Sequence, residues 1–215
     1  IETLGFDFPA FGNTQNVTSN CRTTITKLIM NKFSIEYPEY HIAGQLQDDF
    51  PKTNNFSVSI PLSRQQKYYD LLLHNANNKK CLAIQVKSSR TYVKTDTTED
   101  LNDYNYYAWL NNFHVNTYSD FYFIFISFPL FDTTTFRPRT ALGTKILVFD
   151  TNEMTTLLTN IRTTRSGNPD KFFGFGFNIN EDRIFGTRGF IINPRQEFTA
   201  NLYHNKLNQI RQAIQ

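Results

Sequence analysis

Residues 68–90, YYDLLLHNANNKKCLAIQVKSSR, constrain the fold more than any other stretch of the chain. Two apolar runs flank the asparagine-rich link NANN, and asparagine tolerates the positive φ angles that tight turns need. The pattern predicts an antiparallel hairpin whose strands are KYYDLLLH and KCLAIQVKSS. Packing alone does not explain why the second strand, mostly buried, ends with Gln85 and Lys87.

The position of the turn decides which side chains share a face of this hairpin. A turn centred on Asn77–Asn78 places Asp70 directly across from Gln85, with Lys87 two residues further along the same face. A turn centred on Ala76–Asn77 also keeps the three side chains on one face, with Gln85 displaced by two residues from the position directly across from Asp70. A three-residue loop centred on Asn77 reverses the parity of the register and separates them.

Charge is distributed unevenly around this hairpin. The net charge of the chain is only +3, yet Asp70 is the one acid between residues 51 and 95. A basic stretch of this kind is typical of a solvated face, or of a surface that binds a polyanion. The basic residues of the window are Lys52, Arg64, Lys67, Lys79, Lys80, Lys87, Arg90 and Lys94.

An acid, an amide oxygen and an ammonium group on one face suit the hydrolysis of phosphodiesters. Carboxylate and amide oxygens are ligands of Mg²⁺, and the metal lowers the pKa of a bound water. A neighbouring lysine stabilises negative charge that develops on the phosphate. In the simpler interpretation, Asp70 forms a turn or pairs with Arg64 or Lys67, and Gln85 and Lys87 merely alternate outward.

Composition indicates one globular domain spanning residues 1–215. The two cysteines, Cys21 and Cys81, lie in apolar patterns and form neither a disulfide framework nor a zinc site, so both are expected to be reduced core residues. No apolar run reaches the roughly 20 residues of a membrane span, and no signal peptide is evident. We expect a soluble, cytoplasmic protein of a prokaryotic cell, without a role at the membrane.

Periodicity predicts a mixed α/β fold with a central sheet flanked by helices. Helices are expected at about 15–32, over TTEDLNDYNYYAWLNNF, at 152–161 and at the C-terminus, whereas IEYPEYHIAGQ is expected to be extended. Strands are expected in FSVSIPL, the two arms of the hairpin, SDFYFIFISFPLF and TKILVFD. The aromatic stretch DKFFGFGFNINEDRIFGTRGF is expected to form a hairpin or a loop. His74 and His114 are expected to be structural.

Asp70 followed by Gln85-Val86-Lys87 at the end of an apolar strand resembles the PD-(D/E)xK, or restriction-endonuclease-like, nuclease superfamily. In that family an Asp opens the second core strand and a (D/E/Q)-x-K motif lies on the third. The preceding helix, SDFYFIFISF and KILVFDTNEMTTLLTNI follow the family's element order. The resemblance covers about residues 13–161 and leaves 162–215 as a C-terminal aromatic-rich extension.

The resemblance implies a Mg²⁺-dependent DNA endonuclease, with Mn²⁺ as a possible substitute. It implies that Asp70, Gln85 and Lys87 are catalytic, and that Asp70, the Gln85 amide oxygen and the Val86 carbonyl hold the metal. With only Asp70 ionised, such a site binds Mg²⁺ less tightly than one with two carboxylates. Many members also carry a Glu on the first helix, but FGNTQNVTSNCRTTITKLIMNK contains no acid. Glu36 or Glu39 could substitute if the chain folds back.

Double-stranded DNA is the partner that the resemblance implies, with a homodimer possible for cutting both strands. The side chains that recognise the DNA sequence are expected to come from an insertion at 41–66, from TTTFRPRT at 133–140 and from 162–188. Site specificity favours a restriction or intron-homing enzyme, and a repair or junction-resolving nuclease is a further form. An inactive nucleic-acid-binding domain of the same fold and a mixed-sheet interaction domain remain alternatives. The expected DNA contacts are Arg64, Lys67, Lys79, Lys80, Ser88, Ser89, Arg90, Lys94, Arg137 and Arg139.

Overall fold

The computed structural model of the protein describes residues 36–61, 68–93, 104–132, 139–161, 172–190 and 195–215. These residues form a mixed α/β fold with eight strands, mostly antiparallel, and three α-helices. The helices are α1 (Tyr37–Asp49), α2 (Thr151–Thr159) and α3 (Tyr203–Ile214). The strands are β1 (Phe56–Ser59), β2 (Leu71–Asn75), β3 (Lys80–Val93), β4 (Tyr106–Asn111), β5 (Phe121–Asp132), β6 (Arg139–Asp150), β7 (Phe172–Phe177) and β8 (Ile184–Gly186).

The long strand β3 belongs to two sheets. In the first sheet the strand order is β1-β2-β3-β5-β6, with β3 and β5 parallel and the other neighbours antiparallel. In the second sheet the last residues of β3, from Thr91 to Val93, pair with β4, and the order continues through β7 to β8. One continuous strand of 14 residues therefore links the two sheets.

A first apolar core, the helix core, lies between the first sheet and helices α1 and α3. Leu71 and Leu73 of β2 and Ile84 of β3 are fully buried there. Helix α1 contributes Ile42 and Leu46, which lie four residues apart and so share one helix face. Helix α3 contributes a similar face, which consists of Tyr203, Ile210 and Ile214.

A second core, the sheet core, fills the space between the two sheets and α2. The β5 residues Tyr122, Ile124 and Ile126 alternate with those that face the helix core, because side chains on a strand point to opposite faces in turn. The second sheet contributes Ala108, Leu110 and three phenylalanines of β7, Phe173, Phe175 and Phe177. The segment after residue 161 supplies β7, β8 and α3, so it is integral to both cores and is not an appended extension.

Several sequence predictions are confirmed. The hairpin arms, SDFYFIFISFPLF, TKILVFD and the aromatic stretch are strands, and helices form close to 152–161 and at the C-terminus. The predicted helix at 15–32 and Cys21 lie outside the described residues. Among the described residues no helix is long and apolar enough to cross a membrane.

Two predicted elements are wrong. IEYPEYHIAGQ is not extended: Tyr37–Asp49 is helical, and it begins with Glu36 and Glu39 in a capping box and Pro38 in its first turn. Residues 41–66 are therefore not an insertion, because they contain most of α1 and all of β1.

The helix expected around residues 104–110 is strand β4. Its side chains alternate with period two: Ala108 and Leu110 are buried, whereas Tyr107 and Trp109 are only partly buried. The prediction for Cys81 is also wrong, because this residue is exposed next to the turn of the hairpin and is not part of a core.

Candidate active site

The hairpin takes the register that brings Asp70 and Gln85 together. Leu71 pairs with Ile84 and Asn75 with Lys80, so the turn is centred on Asn77–Asn78. Lys79, and not an asparagine, takes the positive φ of 61°. The asparagines instead accept backbone hydrogen bonds, from Asn77 N to Asn75 Oδ1 at 3.0 Å and from Lys80 N to Asn78 Oδ1 at 2.9 Å.

Asp70 lies immediately before β2 and is held against β3 by three hydrogen bonds. Its backbone N–H donates to the Ile84 carbonyl at 2.8 Å. Its carboxylate oxygen Oδ2 accepts from the Val86 backbone N–H at 2.7 Å and from the Gln85 amide nitrogen. Both donors point at Oδ2, which leaves Oδ1 as the carboxylate oxygen with no hydrogen bond from the described residues.

Burial raises the pKa of the Asp70 carboxyl group above its ordinary value of 3.8. The Val86 N–H, the Lys87 ammonium and the Gln85 amide oppose this rise, because each favours the charged carboxylate, whereas the negative charge of Glu36 adds to the rise in pKa. Glu36 is thus close enough to Asp70 to act on it electrostatically. The site is a partly buried carboxylate with one cation and one further acid nearby.

Gln85 is 6% exposed and turns its amide nitrogen, not its oxygen, toward Asp70. Its oxygen Oε1 accepts from the Asn116 side chain at 3.4 Å, and that same Asn116 nitrogen lies 3.2 Å from the Tyr68 carbonyl. To ligate a metal through Oε1, the amide must rotate and give up its hydrogen bond to Asp70. The amide orientation follows from the hydrogen-bond network around it.

Two oxygen atoms around this point suit a hard divalent cation, and one further acid acts on them through its charge. Asp70 Oδ1 is one of them. The Val86 carbonyl is the second, because the N–H and the carbonyl of one strand residue lie on the same edge, and the Val86 N–H is directed at Asp70. Glu36, at the N-terminus of α1, brings a second negative charge to this side of the sheet. Among the described residues no cluster of three or more His, Cys, Asp or Glu side chains forms a metal site.

Lys87 follows the Asp70–Gln85 pair along β3 and lines an open cleft of about 440 Å³. Gln85, Ser88, Trp109 and Asn116 share the lining of this cleft. His114, for which a structural role is expected from the sequence, also lines it. The cleft therefore places the lysine and the glutamine of the QVK motif beside the loop that follows β4.

The structure brings only some of the predicted DNA contacts to this cleft. Ser88 and Arg90 are exposed on β3 just past the motif. Ser89 is partly buried, and its hydroxyl accepts a hydrogen bond from the Trp109 N–H at 3.1 Å, so it fixes β4 to β3.

Lys79 and Lys80 lie at the tip of the hairpin, five strand residues from Asp70, a separation of roughly 17 Å at 3.4 Å per residue. The structure does not bring them to the site. Arg139 begins β6, and its side chain is not described. Arg64, Lys67, Lys94 and Arg137 lie outside the described residues.

The sequence did not single out the loop that supports Gln85. Asn116 Oδ1 accepts from the backbone N–H groups of Tyr118 and Ser119, each at 3.0 Å. Ser119 Oγ donates to the Tyr68 carbonyl at 2.6 Å, which ties the loop to the residues just before Asp70. The stretch Asn116-Thr-Tyr-Ser119 carries the signature of an Asx turn, and this signal was available in the sequence.

Comparisons of the chain with protein-family models, with curated proteins and with solved structures find no match. The function is therefore inferred from the geometry and the charges of the site itself.

Proposed function

We propose that this protein is a Mg²⁺-dependent DNA endonuclease that hydrolyses phosphodiester bonds through Asp70, Gln85 and Lys87. The observation that carries the proposal is the hairpin register, which sets a partly buried carboxylate against the first residue of a QVK motif. Of the three turn geometries compatible with the sequence, two place all three side chains on one face, and the observed one sets Asp70 directly across from Gln85.

The order of elements supports a restriction-endonuclease-like core. Helix α1 precedes β1, Asp70 opens β2, the QVK motif lies on β3, and β5, β6 and α2 follow. In this interpretation α1 takes the place of the first core helix, and Glu36 is the acid that the segment before it lacks. The β4 strand and the second sheet are additions to that core.

Each residue has a distinct part in the proposed reaction. Asp70 Oδ1, the Val86 carbonyl and Glu36 would hold Mg²⁺, which supplies a bound water of lowered pKa and neutralises phosphate charge when present. Gln85 holds the Asp70 carboxylate in place through its amide nitrogen. Lys87 lines the cleft, where its ammonium would orient the attacking water and stabilise the charge that grows on the phosphate.

DNA would reach this point along the basic residues of β3. Arg90 and the ammonium of Lys87 attract phosphates, and such contacts position a nucleic acid without reading its sequence. We further propose that the enzyme cuts at specific DNA sequences, as restriction or homing enzymes do, and that its products carry 5′-phosphates.

The decisive experiment incubates supercoiled and linear DNA with the protein in Mg²⁺ or Mn²⁺. Wild-type protein should yield discrete fragments. Asp70→Ala and Lys87→Ala should each lose cleavage by about 100-fold or more, the size of effect seen when one group that stabilises a transition state is removed. Lys79→Ala, a change of the same type at the distant hairpin tip, should cleave normally. Fragments of equal yield from wild type and Lys87→Ala would refute the proposal.

A second candidate is a DNA-binding domain of the same fold without catalysis. The observation in its favour is that the Gln85 amide nitrogen donates a hydrogen bond to Asp70. A metal site would require an oxygen of Gln85 at this position instead of the nitrogen. This candidate predicts salt-sensitive DNA binding by wild type and by Lys87→Ala alike, and no cleavage with any divalent metal.

A further inference from the structure

The outer face of the second sheet carries a row of aromatic rings interleaved with arginines. We define the stacking platform as Tyr92, Tyr107, Trp109 and Phe172 together with Arg90 and Arg188. Tyr92 and Tyr107 stack with their ring centroids 5.6 Å apart and their planes 21° apart. Tyr107 and Trp109 follow at 5.4 Å, so three rings continue along one face.

The two arginines lie against these rings. The Arg188 guanidinium carbon is 5.3 Å from the Trp109 ring centre and 4.8 Å from that of Phe172. Arg90 lies 5.7 Å from the Tyr92 ring, and its Nε donates to the Tyr92 hydroxyl at 3.1 Å. Each guanidinium thus adds a positive charge and a flat surface to the row of rings.

The platform is accessible at several points. Tyr92 is 41% exposed, and Arg90 and Arg188 are both exposed. In β7 the residues paired with Tyr107 and Trp109 are Gly176 and Gly174, and the Tyr104 ring lies against Gly176 while the Thr187 hydroxyl lies against Gly174. Tyr107, Trp109 and Phe172 are partly buried. A sheet face that served only for packing would be expected to bury these rings beneath another element.

The platform adjoins the candidate active site. Trp109 belongs to the platform and also lines the cleft that contains Gln85 and Lys87. Arg90 and Tyr92 lie three and five residues beyond Lys87 on the same strand, roughly 10 to 17 Å away, and these odd offsets place their side chains on the opposite face of β3 from that of Lys87. Trp109 is therefore the residue that joins the cleft to the platform, and a nucleic acid bound at Lys87 would reach the other rings by passing over Trp109.

We propose that the stacking platform binds an unpaired strand of the DNA substrate, with its bases stacked on the rings and its phosphates near Arg90 and Arg188. Bases within a continuous duplex are already stacked on one another and cannot reach these rings, whereas unpaired bases stack readily on aromatic and guanidinium surfaces. The inference rests on the proposed function for its partner, and it specifies the substrate as DNA with a single-stranded segment next to the cut duplex.

Trp109 is the only tryptophan of the chain, so its fluorescence reports on the platform directly. The experiment titrates the full chain, in EDTA to prevent cleavage, with a 20-nucleotide oligothymidylate, with an abasic sugar-phosphate strand of equal length, and with a blunt duplex. Oligothymidylate should quench Trp109 and bind at least about fivefold more tightly than the abasic strand, since stacking adds to the phosphate contacts.

Tyr107→Ala, and independently Tyr92→Ala, should weaken oligothymidylate binding by about 5- to 100-fold. The control Tyr40→Ala removes an exposed tyrosine from α1 and should leave binding unchanged. Equal quenching by the abasic strand or by the duplex would overturn the inference. So would wild-type affinity in both platform variants.

Cleavage in Mg²⁺ separates this inference from the proposed function. A duplex with a single-stranded extension should be cut faster than the blunt duplex, and Tyr107→Ala should remove the difference while still cutting the blunt duplex. Blunt-duplex cleavage without oligothymidylate quenching would overturn the platform alone. Quenching without cleavage of any substrate would overturn the proposed nuclease activity alone and leave strand binding established.

Discussion

At the scale of single residues, the charged Asp70 carboxylate lowers the free energy of unfolding, because it is partly buried. Its pKa is raised chiefly by burial, so the folded protein holds the proton more tightly than the unfolded chain. Between its ordinary pKa of 3.8 and the raised value, the native state binds more protons than the unfolded state, and the free energy of unfolding falls as the pH rises. At pH values above the raised pKa, the carboxyl is ionised in both states and the whole loss in the free energy of unfolding is present.

Asp70→Asn should therefore stabilise the protein at neutral pH. The change keeps the size of the side chain and a carbonyl acceptor for the Val86 N–H but removes the buried charge, and we expect a gain of about 1 kcal/mol in the free energy of unfolding. The gain should disappear at about pH 3, where the carboxyl is protonated in both states. Denaturant unfolding at the two pH values tests this. Asp48→Asn, on the exposed side of α1, should change little, and a loss of stability in Asp70→Asn at neutral pH would contradict the explanation.

Gln85→Glu should strengthen metal binding. A glutamate at position 85 adds one negative charge directly beside Asp70, and charge count tunes divalent-cation affinity. We expect the Mg²⁺ concentration that half-saturates the metal-induced rise in melting temperature to fall by about tenfold, or about 1.4 kcal/mol. Gln47→Glu adds the same charge at an exposed position of α1. If both variants shift the Mg²⁺ dependence equally, the effect is net charge and not ligation.

At the scale of elements, the hairpin turn is held by the end of α3. The buried side chain of Asn75 donates to the Ile214 carbonyl at 3.1 Å, and Asn78 donates to the same carbonyl at 3.0 Å. Carbonyls in the last turn of a helix have no partner within the helix, so these asparagines satisfy a group that would otherwise be left unbonded. The turn that sets the Asp70–Gln85 register is thereby fixed to the helix core.

Asn75→Ala should cost about 1–3 kcal/mol of unfolding free energy, because it removes the donor and leaves the Asn77 N–H without its acceptor. Asn54→Ala, at an exposed asparagine nearby, should stay within about 0.5 kcal/mol of wild type. Chemical denaturation measures both. Equal stability of the two variants would show that the tie between the turn and α3 contributes nothing.

The elements also show what the sequence could and could not predict. The hairpin was predictable because its apolar runs and turn leave few registers, and Asp70, Gln85 and Lys87 follow from one of them. Helix α1 was not recognised, since its tyrosines and Gly44 have low helix propensity and its stability comes from packing Ile42 and Leu46 on the sheet. Strand β4 was misread because Tyr104, Ala108 and Leu110 also fit a helical period, and only pairing with Phe172–Phe177 decides between the two.

At the scale of the whole molecule, the basic side chains of β3 and of the turn before it lie in two places, Lys87 and Arg90 at the site and Lys79 and Lys80 at the distant hairpin tip. Binding of DNA should weaken steeply with salt, because each phosphate contact releases counterions. Arg90→Ala should reduce the slope of log affinity against log salt by about 1, the expectation for one lost phosphate contact. Lys80→Ala, at the tip, should leave the slope unchanged. Fluorescence anisotropy with labelled duplex at several salt concentrations measures the slope. An equal reduction of the slope in both variants would show that DNA also contacts the hairpin tip.

The bond between Asn75 and Ile214 joins residues that are 139 positions apart in the chain. Contacts of such long sequence separation form late, since much of the chain must first be ordered. A ribosome synthesising this protein releases the Asp70–Gln85 pair long before residue 214 emerges. Until then the turn lacks its hydrogen bonds to α3, so this hairpin gains its full support only after the C-terminal residues of α3 have been synthesised.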